Sequence, residues 1–467
     1  MISTVDSNSS EEKGDSLAHV LPETETAVFR VNTLETKLPH HFKVAQVEND
    51  IIFPKLCREV SDCKCLIDID ENAKHWDKAK RKTNPYELVH IIGTNNLHSD
   101  DLVRRNNIEN YSPLSRAFFK MLEIYDSLRI IPDEFNSKSG AIAHLAEGPG
   151  GFMEAVYKRR KADGHQDDHF GITLYPKNRN IPGWSQLHRR KTHPLHNPKV
   201  RMLTGDLYKT NTILNFAKHF RSKKAFLVTC DGGFDYSKDF NNQERNSWRI
   251  IFAEIVTGLL VQKKGGTMVC KMFDLFTHFS LQMIYILTAL YKDVYIFKPR
   301  TSRPANSEKY VIAKGFKGIT KSVISSMLGM VQRWEEMTTV HKDISSVKKE
   351  DVELKERSGT SQDRSIAKFK DQKVKWLHII VENLPLPETF VSRVREINET
   401  LADQQKRYIE LTLEHIKGRG DTTWKETQVR LARDWFTQYR VFTKEEVRAF
   451  YHQKKGTLRD GNLKKQT

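Results

Sequence analysis

Short apolar segments alternate with longer amphipathic segments between residues 115 and 318, and this alternation limits the possible folds more than any other feature. Residues 246–264 and 279–293 have the length and apolar spacing of helices. The apolar segments have the length of strands: AIAHLAE (141–147), HFGITLY (169–175), AFLVTCDG (225–232), GTMVCKMF (266–273), DVYIFKP (293–299) and KYVIAKG (309–315). Strands alternating with helices predict an α/β fold, with a mostly parallel sheet covered by helices on both faces.

The regions on either side of this alternation differ in composition, and the differences predict the domain organisation. The start of the chain is polar and acidic, and the region after Ile319 is highly charged before amphipathic helical patterns resume. Five regions are predicted: a disordered tail (1–25), an N-terminal extension (26–112), the α/β domain (113–318), a charged linker (319–372) and a helical C-terminal extension (373–467).

The charge balance of the chain indicates a polyanionic partner. The 467 residues include 76 Lys and Arg against 59 Asp and Glu, which gives a net charge of +17. A basic excess of this size favours binding to nucleic acid or to an anionic membrane surface, and the alternative is a basic, solvated surface without a partner. The sequence contains no run of eighteen apolar residues, so it predicts no membrane span. The first residues lack a secretory signal pattern.

The cysteines predict neither disulfides nor a metal centre. Five cysteines without a framework pattern are typical of a reducing compartment. Cys57, Cys63 and Cys65 lie close together, but no second Cys or His pair follows at zinc-binding spacing. We expect no metal here, and we interpret these three residues as small buried side chains.

A glycine-rich loop follows the first predicted strand of the α/β domain. In HLAEGPGGFMEAV, the residues Gly148, Gly150 and Gly151 stand where this strand should turn into a helix. Glycines let the backbone approach a ligand closely, and a helix N-terminus offers unpaired amides. The pattern differs from a dinucleotide-binding fingerprint, and the second strand ends in the neutral sequence GITLYP. The loop therefore predicts a nucleotide-like ligand, and the alternative is a tight turn without one.

Four charged residues are predicted to gather near this loop. Asp231 ends one strand, Lys271 lies near the end of the next, Glu308 precedes the last strand, and Lys120 lies on an apolar helical segment. Each has an alternative interpretation as an ordinary turn or surface charge. Ligands of open α/β sheets bind beyond the carboxyl ends of the strands, which is where these residues converge. Two lysines paired with two carboxylates form a nearly neutral cluster that can be partly buried.

Such a cluster suits the activation of a weak nucleophile. Desolvation and a neighbouring cation can lower the pKa of a lysine towards neutrality and make it a general base, for example for a ribose hydroxyl. This arrangement needs no metal.

The sequence also resembles a known family in several motifs that occur in family order. The segments LSRAFFKMLEI, AEGPGGF, TCDGGF, VCKMFDLFTHFS and FKPRTSRPANSEKYVIAKG are similar to motifs of FtsJ-type ribose 2'-O-methyltransferases. DLFTHFS and TSRPANSEKYV resemble the subfamily that modifies eukaryotic mRNA caps. The resemblance implies a Rossmann-like fold that uses S-adenosylmethionine, with an N-terminal cap-binding extension and an α-helical C-terminal extension.

The resemblance assigns roles to the residues of the motifs. It implies a catalytic tetrad of Lys120, Asp231, Lys271 and Glu308, in which Lys271 is the base and the other three lower its pKa. The residues that it implies for S-adenosylmethionine binding are Ala146, Glu147, Gly148, Pro149, Gly150, Gly151, Phe152, Asp206 and Leu207. It implies cap and acceptor-nucleotide contacts at Lys64, Asp68, Lys80, Arg81, Asn241 and Asn306, where Lys80 and Arg81 could be exchanged. A merely solvated basic loop is the alternative for the basic members of this set.

The expected function is therefore 2'-O-methylation of the first transcribed nucleotide of capped RNA. Methylation of the second nucleotide, methylation of ribosomal or transfer RNA, and a silent cap- or RNA-binding protein are the alternatives. The expected partners are capped RNA and other capping or transcription factors that bind the C-terminal helices. The expected location is the nucleus, or the cytoplasm if the protein is viral.

Overall fold

An eight-stranded β-sheet organises the part of the chain that the structure describes. The structure is a computed structural model, and it describes residues 27–31, 37–91, 113–175, 182–190, 193–233, 240–337, 379–418 and 424–439. The predicted tail (1–25) and most of the predicted linker lie outside these ranges. The strands are β1 (Ala27–Arg30), β2 (Val44–Gln46), β3 (Ala141–Leu145), β4 (Asp168–Thr173), β5 (Val200–Thr204), β6 (Ala225–Cys230), β7 (Gln262–Met272), β8 (Tyr291–Lys298), β9 (Lys309–Phe316) and β10 (Ile379–Val381).

The strand order of the main sheet is β1-β8-β9-β7-β6-β3-β4-β5, and β2 pairs with β10 in a separate ribbon. Four neighbouring pairs, from β7 across to β5, are parallel. The other three pairs are antiparallel, because β9 lies between β7 and β8, and β1 pairs with β8 at the edge. The predicted α/β class with a mostly parallel sheet is confirmed.

Helices cover both faces of the sheet. They are α1 (Pro54–Cys65), α2 (Asp70–Lys82), α3 (Glu87–Ile91), α4 (Ala117–Leu128), α5 (Gly151–Ala162), α6 (Ser185–Arg189), α7 (Thr210–Lys218), α8 (Gln243–Val261), α9 (His278–Leu290), α10 (321–337), α11 (Glu388–Ile416) and α12 (Trp424–Gln438). Within the described ranges, no helix is long and apolar enough to cross a membrane.

Alternating residues of the central strands enter two different apolar cores. Met268 and Cys270 of β7 pack into the core beneath α8 and α9, whereas Val269 packs into the core that includes Phe118 and Phe119 of α4. Successive side chains of a strand point to opposite faces, so Lys271 lies on the same face as Val269. This parity places Lys271 on the side of the sheet that α4 covers.

Several elements differ from the sequence prediction. Strands β1 and β5 were missed, since AVFR and VRMLT are short and carry few buried residues. Residues 321–337, predicted as the start of a linker, form helix α10, and this part of the prediction is wrong. Val323, Met327 and Trp334 are buried in the main core, and their spacing is helical.

The cysteines of α1 also differ from the expectation. Only Cys63 is buried, whereas Cys57 is partly exposed and Cys65 is exposed, because a helix distributes these spacings over different faces. Among the described residues, no three or more His, Cys, Asp or Glu side chains form a group that could hold a metal ion.

A buried ion pair holds the amino end of the sheet, and breaking it should destabilise the protein. Arg160 Nε donates to Asp167 Oδ2 at 2.6 Å, and Asp167 Oδ1 also accepts from the Gly140 amide at 2.6 Å. Arg160→Leu leaves a buried carboxylate without its cation, and we expect it to lower the free energy of unfolding by about 3–5 kcal/mol. Denaturant titration measures this value. The exposed neighbour provides the control, since Lys161→Ala should change it by less than about 0.5 kcal/mol; similar values for both variants would contradict the prediction.

Candidate active site

Two lysine–carboxylate ion pairs lie at the carboxyl edge of the parallel strands. Lys120 Nζ is 2.6 Å from Glu308 Oε1, and Lys271 Nζ is 3.0 Å from Asp231 Oδ1. The four side chains are 12–15% exposed, so they are shielded but reachable from solvent. The structure thus brings together all four residues of the tetrad implied by the resemblance.

The sheet register explains why residues so distant in sequence meet. Lys271 of β7 is directly opposite Tyr310 of β9 in the antiparallel ladder. The hydroxyl of Tyr310 donates to Glu308 Oε1 at 3.0 Å, and Ser302 Oγ donates to the same oxygen at 3.2 Å. On the other side, Lys271 Nζ donates to the backbone oxygen of Asp231 at 2.9 Å. The ammonium of Lys271 is therefore fixed between the end of β6 and the start of β9.

The electrostatics differ from the expectation in one respect. Burial by itself lowers the pKa of Lys271, but the carboxylates of Asp231 and Glu308 outweigh it, and the pKa lies above its ordinary value. Burial raises the pKa of Glu308, but Lys120 and Lys271 hold it well below its usual range. The expectation that the neighbours of Lys271 lower its pKa is wrong, because a nearby carboxylate stabilises the protonated form of a lysine.

The glycine loop after β3 occupies the switch point of the sheet. Strands β3 and β6 are neighbours, and the chain continues from β3 to β4 on one side and from β6 to β7 on the other. Gly150 has φ of +112°, a conformation that favours glycine. A Cβ atom on Gly151 would lie 2.2 Å from Ser115 Oγ, and one on Gly148 would lie 1.8 Å from the Pro182 oxygen. The loop therefore requires glycine at these positions.

The remaining residues predicted to bind the cofactor occupy different environments. Ala146, Pro149 and Phe152 belong to the loop or the first turn of α5, and Phe152 is buried. Glu147 is buried, and its carboxylate accepts from the Met153 amide at 3.1 Å. Beyond β5, the carboxylate of Asp206 accepts from the Tyr208 amide at 2.9 Å, whereas Leu207 lies in the apolar core.

Sequence reasoning missed two residues that support the tetrad. One is Tyr310, described above. The other is Glu254 of α8, a buried carboxylate that accepts from the Gly232 amide at 2.9 Å and so fixes the turn after Asp231. Burial raises the pKa of Glu254 well above its ordinary value. A lone glutamate within the apolar stretch IIFAEIVTGLL was the signal that could have identified it.

A cavity of about 370 Å³ lies beside the segment that leads into Glu308. Helices α1, α2 and α11 and the segment 303–306 form its walls. The lining includes four of the six residues predicted to contact the cap, which are Lys64, Asp68, Lys80 and Asn306. It also includes Trp76, Phe240, Arg303 and Gln405, which the sequence analysis did not single out.

The charges around this cavity are largely paired. Lys64 Nζ is 2.7 Å from Asp274 Oδ2, and Lys80 forms an ion pair with Asp77. Arg303 Nη2 lies 3.0 Å from Glu87 Oε1.

The two other predicted cap contacts are absent from the lining. Arg81 is exposed, and Asn241 donates to Cys65 Sγ at 3.3 Å. Lys80 and Arg81 are interchangeable in the sequence-based prediction, and of these two residues the cavity lining includes Lys80.

Comparison with known proteins identifies the class of the α/β domain. Residues 113–316 match the family of FtsJ-like methyltransferases, and the chain therefore carries an FtsJ-like methyltransferase domain. Several curated relatives are named cap-specific mRNA (nucleoside-2'-O-)-methyltransferase 1. The mouse protein is 30% identical over 281 residues, which cover 59% of this chain and 32% of the relative. The form named 1A from Caenorhabditis briggsae is 25% identical over 398 residues, which cover 81% of this chain and 40% of the relative.

The chain thus spans about a third to two fifths of the length of the curated relatives that it matches. Among solved structures, a ribosomal RNA methyltransferase from Plasmodium falciparum is 19% identical and has a TM-score of 0.33. The match covers 44% of this chain and 100% of the Plasmodium chain.

Proposed function

We propose that this protein transfers a methyl group from S-adenosylmethionine to the ribose 2'-oxygen of the first transcribed nucleotide of capped RNA. The observation that carries the proposal is the pair of lysine–carboxylate contacts, Lys120–Glu308 and Lys271–Asp231, at the switch-point edge of the sheet. The names of the curated relatives support the cap as the substrate.

The residues at the switch point fit S-adenosylmethionine. When bound, this cofactor supplies a methyl group on a sulfonium cation. The glycine loop 148–151 would bring its backbone close to the cofactor, because Gly148, Gly150 and Gly151 carry no side chains. The carboxylate of Asp206, at the end of β5, suits hydroxyl or ammonium groups. Glu147 would act indirectly, since its carboxylate is buried and holds the first turn of α5.

Lys271 would accept the proton of the 2'-hydroxyl. The carboxylates that raise its pKa make its unprotonated form rare at neutral pH, but they also stabilise the ammonium that forms when the proton is taken up. Lys120 balances the charge of Glu308, and Tyr310 fixes the orientation of that carboxylate. Asp231 fixes the direction of the Lys271 side chain, which would align its nitrogen with the acceptor hydroxyl.

The neighbouring cavity would hold the methylated guanine and its phosphates. Methylguanine is a cationic ring, and both the Asp68 carboxylate and the Trp76 indole suit a flat cation. Lys80 and Arg303 offer positive charge for the phosphates. Asn306 lines the cavity two residues before Glu308, so this short segment joins the cap cavity to the tetrad.

Methyl transfer to defined RNAs tests the proposed function. Two RNAs of one sequence, one with an N7-methylguanosine cap and one with a 5'-triphosphate, are incubated with radiolabelled S-adenosylmethionine, digested and analysed by nucleotide. We expect label at the first transcribed nucleotide of the capped RNA alone. Label at the second nucleotide would indicate cap-2 formation, and equal internal label in both RNAs would indicate a ribosomal or transfer RNA enzyme. RNA binding without label would indicate a silent binding protein.

The location of the protein is also part of the proposal. Capped transcripts are made in the nucleus of eukaryotic cells, so we propose a nuclear site of action. Immunofluorescence of the full chain tests this, and exclusively cytoplasmic staining would contradict it.

Asp68→Ala should weaken the recognition of capped RNA. Asp68 lines the cavity and lies away from the tetrad, so its loss should raise the KM for capped RNA about tenfold while kcat changes little. Steady-state kinetics with varied capped RNA measures both constants. The control is Glu71→Ala, an exposed carboxylate of α2 that is not part of the cavity lining. An equal KM in both variants would remove Asp68 from the cap-binding site.

A further inference from the structure

A buried carboxylate of α4 connects the helix of Lys120 to the segment that carries Glu308. Glu123 is one helical turn beyond Lys120 and is fully buried. Its carboxylate accepts from the amides of Arg300 at 2.6 Å and Thr301 at 3.1 Å, and from Thr301 Oγ1 at 2.9 Å. These contacts fix the start of the segment between β8 and β9, which later supplies Asn306 and Glu308. Glu123 thus ties the helix that carries Lys120 to the start of the segment that carries Glu308.

The C-terminal helix α12 provides a further partner for this carboxylate. The indole Nε1 of Trp435 donates to Glu123 Oε2 at 3.4 Å, and the ring packs edge-on against Phe119 with centroids 5.7 Å apart. The end of the same helix is held to α4 by Tyr439, whose hydroxyl is 3.1 Å from Ser127 Oγ. Trp435 is among the largest fully buried side chains. A large, buried indole whose N–H has a hydrogen-bond partner forms a rigid contact.

The other end of α12 holds the helix that lines the cap cavity. Gln428 Nε2 lies 3.1 Å from the backbone oxygens of Arg81 and Lys82 and 2.6 Å from that of Asn84. These carbonyls belong to the end of α2 and the turn that follows it, where a helix leaves carbonyls without intrahelical partners. Helix α2 supplies Trp76 and Lys80 to the cavity wall, which also includes Asp68. Helix α12 therefore contacts both α2, which lines the cap cavity, and Glu123, which holds the start of the segment that leads to Glu308.

We infer that α12 is a brace that fixes the cap cavity relative to the tetrad, with Trp435, Glu123 and Gln428 as its positioning residues. This inference rests on the proposed function for its kinetic consequence. The spacing between the cap and the acceptor ribose is set by the substrate, so the enzyme must hold its two subsites at a matching distance. Trp435 acts through Glu123 on the segment 300–308, and Gln428 acts on α2. None of the three needs to touch the substrate.

Hydrogen–deuterium exchange tests the brace without reference to activity. Trp435→Phe keeps an aromatic ring but removes the N–H donor, and we expect faster exchange of the amides of 300–308. Val429→Ala is the matched control, because Val429 is buried in the same cluster on the same helix, nearly two turns before Trp435. It should lower the thermal stability of the protein at least as much as Trp435→Phe, yet leave the exchange of 300–308 unchanged. Equal exchange of 300–308 in the two variants would overturn the inference.

Kinetics then separate the two ends of the helix. With capped RNA we expect Trp435→Phe to lower kcat about tenfold, since small displacements of reacting groups have effects of this order, while the Kd for S-adenosylmethionine is unchanged. Gln428→Ala should instead raise the KM for capped RNA. Glu123→Gln combined with Trp435→Phe should lower kcat little more than either variant alone, because both act on one contact. Additive effects on kcat in the double variant would overturn the coupling between Glu123 and Trp435. A wild-type protein without methyl transfer would refute the proposed function, but the hydrogen–deuterium exchange result would still stand.

Discussion

Replacing Lys271 by alanine should reduce methyl transfer to capped RNA by at least about 100-fold, because general-base groups contribute factors of this size or larger. Binding of S-adenosylmethionine should remain close to the wild-type value, since the glycine loop and Asp206 lie on other elements. Lys271 Nζ contacts the carboxylate and the backbone oxygen of Asp231, so the alanine variant loses contacts within the tetrad. Single-turnover transfer and isothermal titration with the cofactor measure the two quantities.

Two further variants make this test specific to proton removal. Lys271→Arg keeps a positive charge beside Asp231, but a guanidinium does not lose its proton at accessible pH. We expect this variant to be as inactive as the alanine variant. Lys264→Ala, an exposed lysine on the same strand, should retain full activity. Substantial transfer by Lys271→Arg would show that Lys271 acts as a fixed cation and not as a base.

The rate of transfer should rise with pH over the neutral and alkaline range, by about tenfold per pH unit if one proton must be lost. The direction follows from the raised pKa of Lys271: its unprotonated form is scarce at pH 7 and becomes more abundant at every step towards that pKa. Over two pH units this is an effect of about 100-fold. Single-turnover rates between pH 6.5 and 9.5 provide the measurement.

Asp231→Asn provides the matched control for this profile. It removes one of the carboxylates that stabilise the ammonium, so the pKa of Lys271 should fall and the rising part of the profile should level off at a lower pH. The maximal rate of this variant should also fall, because the lysine loses its alignment, but the position of the bend is the informative quantity. A flat wild-type profile, or an Asp231→Asn profile that rises as steeply as that of the wild type up to pH 9.5, would contradict the assignment of Lys271 as the base.

The fold of the central region could be predicted because its strands are buried on both faces. Strands β3 and β6 are entirely buried, and such runs stand out in a sequence as continuous apolar segments. The edge strands β1 and β5 lack this signal, since Val28 and Arg201 are exposed, and both were missed. The position of β9 between β7 and β8 also could not be predicted, because strand order depends on contacts between segments distant in sequence.

The predictability of the site varies in the same way. The tetrad and the glycine loop follow strand ends, and the rule that such ends share one edge of the sheet brings them together. Trp76, Arg303 and Tyr310 could not be placed, because their positions depend on how α2 and the segment before β9 pack. The direction of the Lys271 pKa shift required the distances to both carboxylates, since burial and ion pairing act in opposite directions.

The insertion of β9 has a consequence for how the enzyme is assembled. Within the main sheet, β8 pairs with β1 and β9, and β7 is reached only through β9. The pairing of β9 with β7 therefore attaches the antiparallel β8–β9 unit to the parallel strands, and the same pairing brings Glu308 and Tyr310 to Lys271. The parallel part of the sheet, from β7 to β5, carries the glycine loop and the Lys271–Asp231 pair, whereas the Lys120–Glu308 pair needs the segment before β9. The pairing that closes the sheet and the contact that completes the tetrad therefore depend on the same strand, β9.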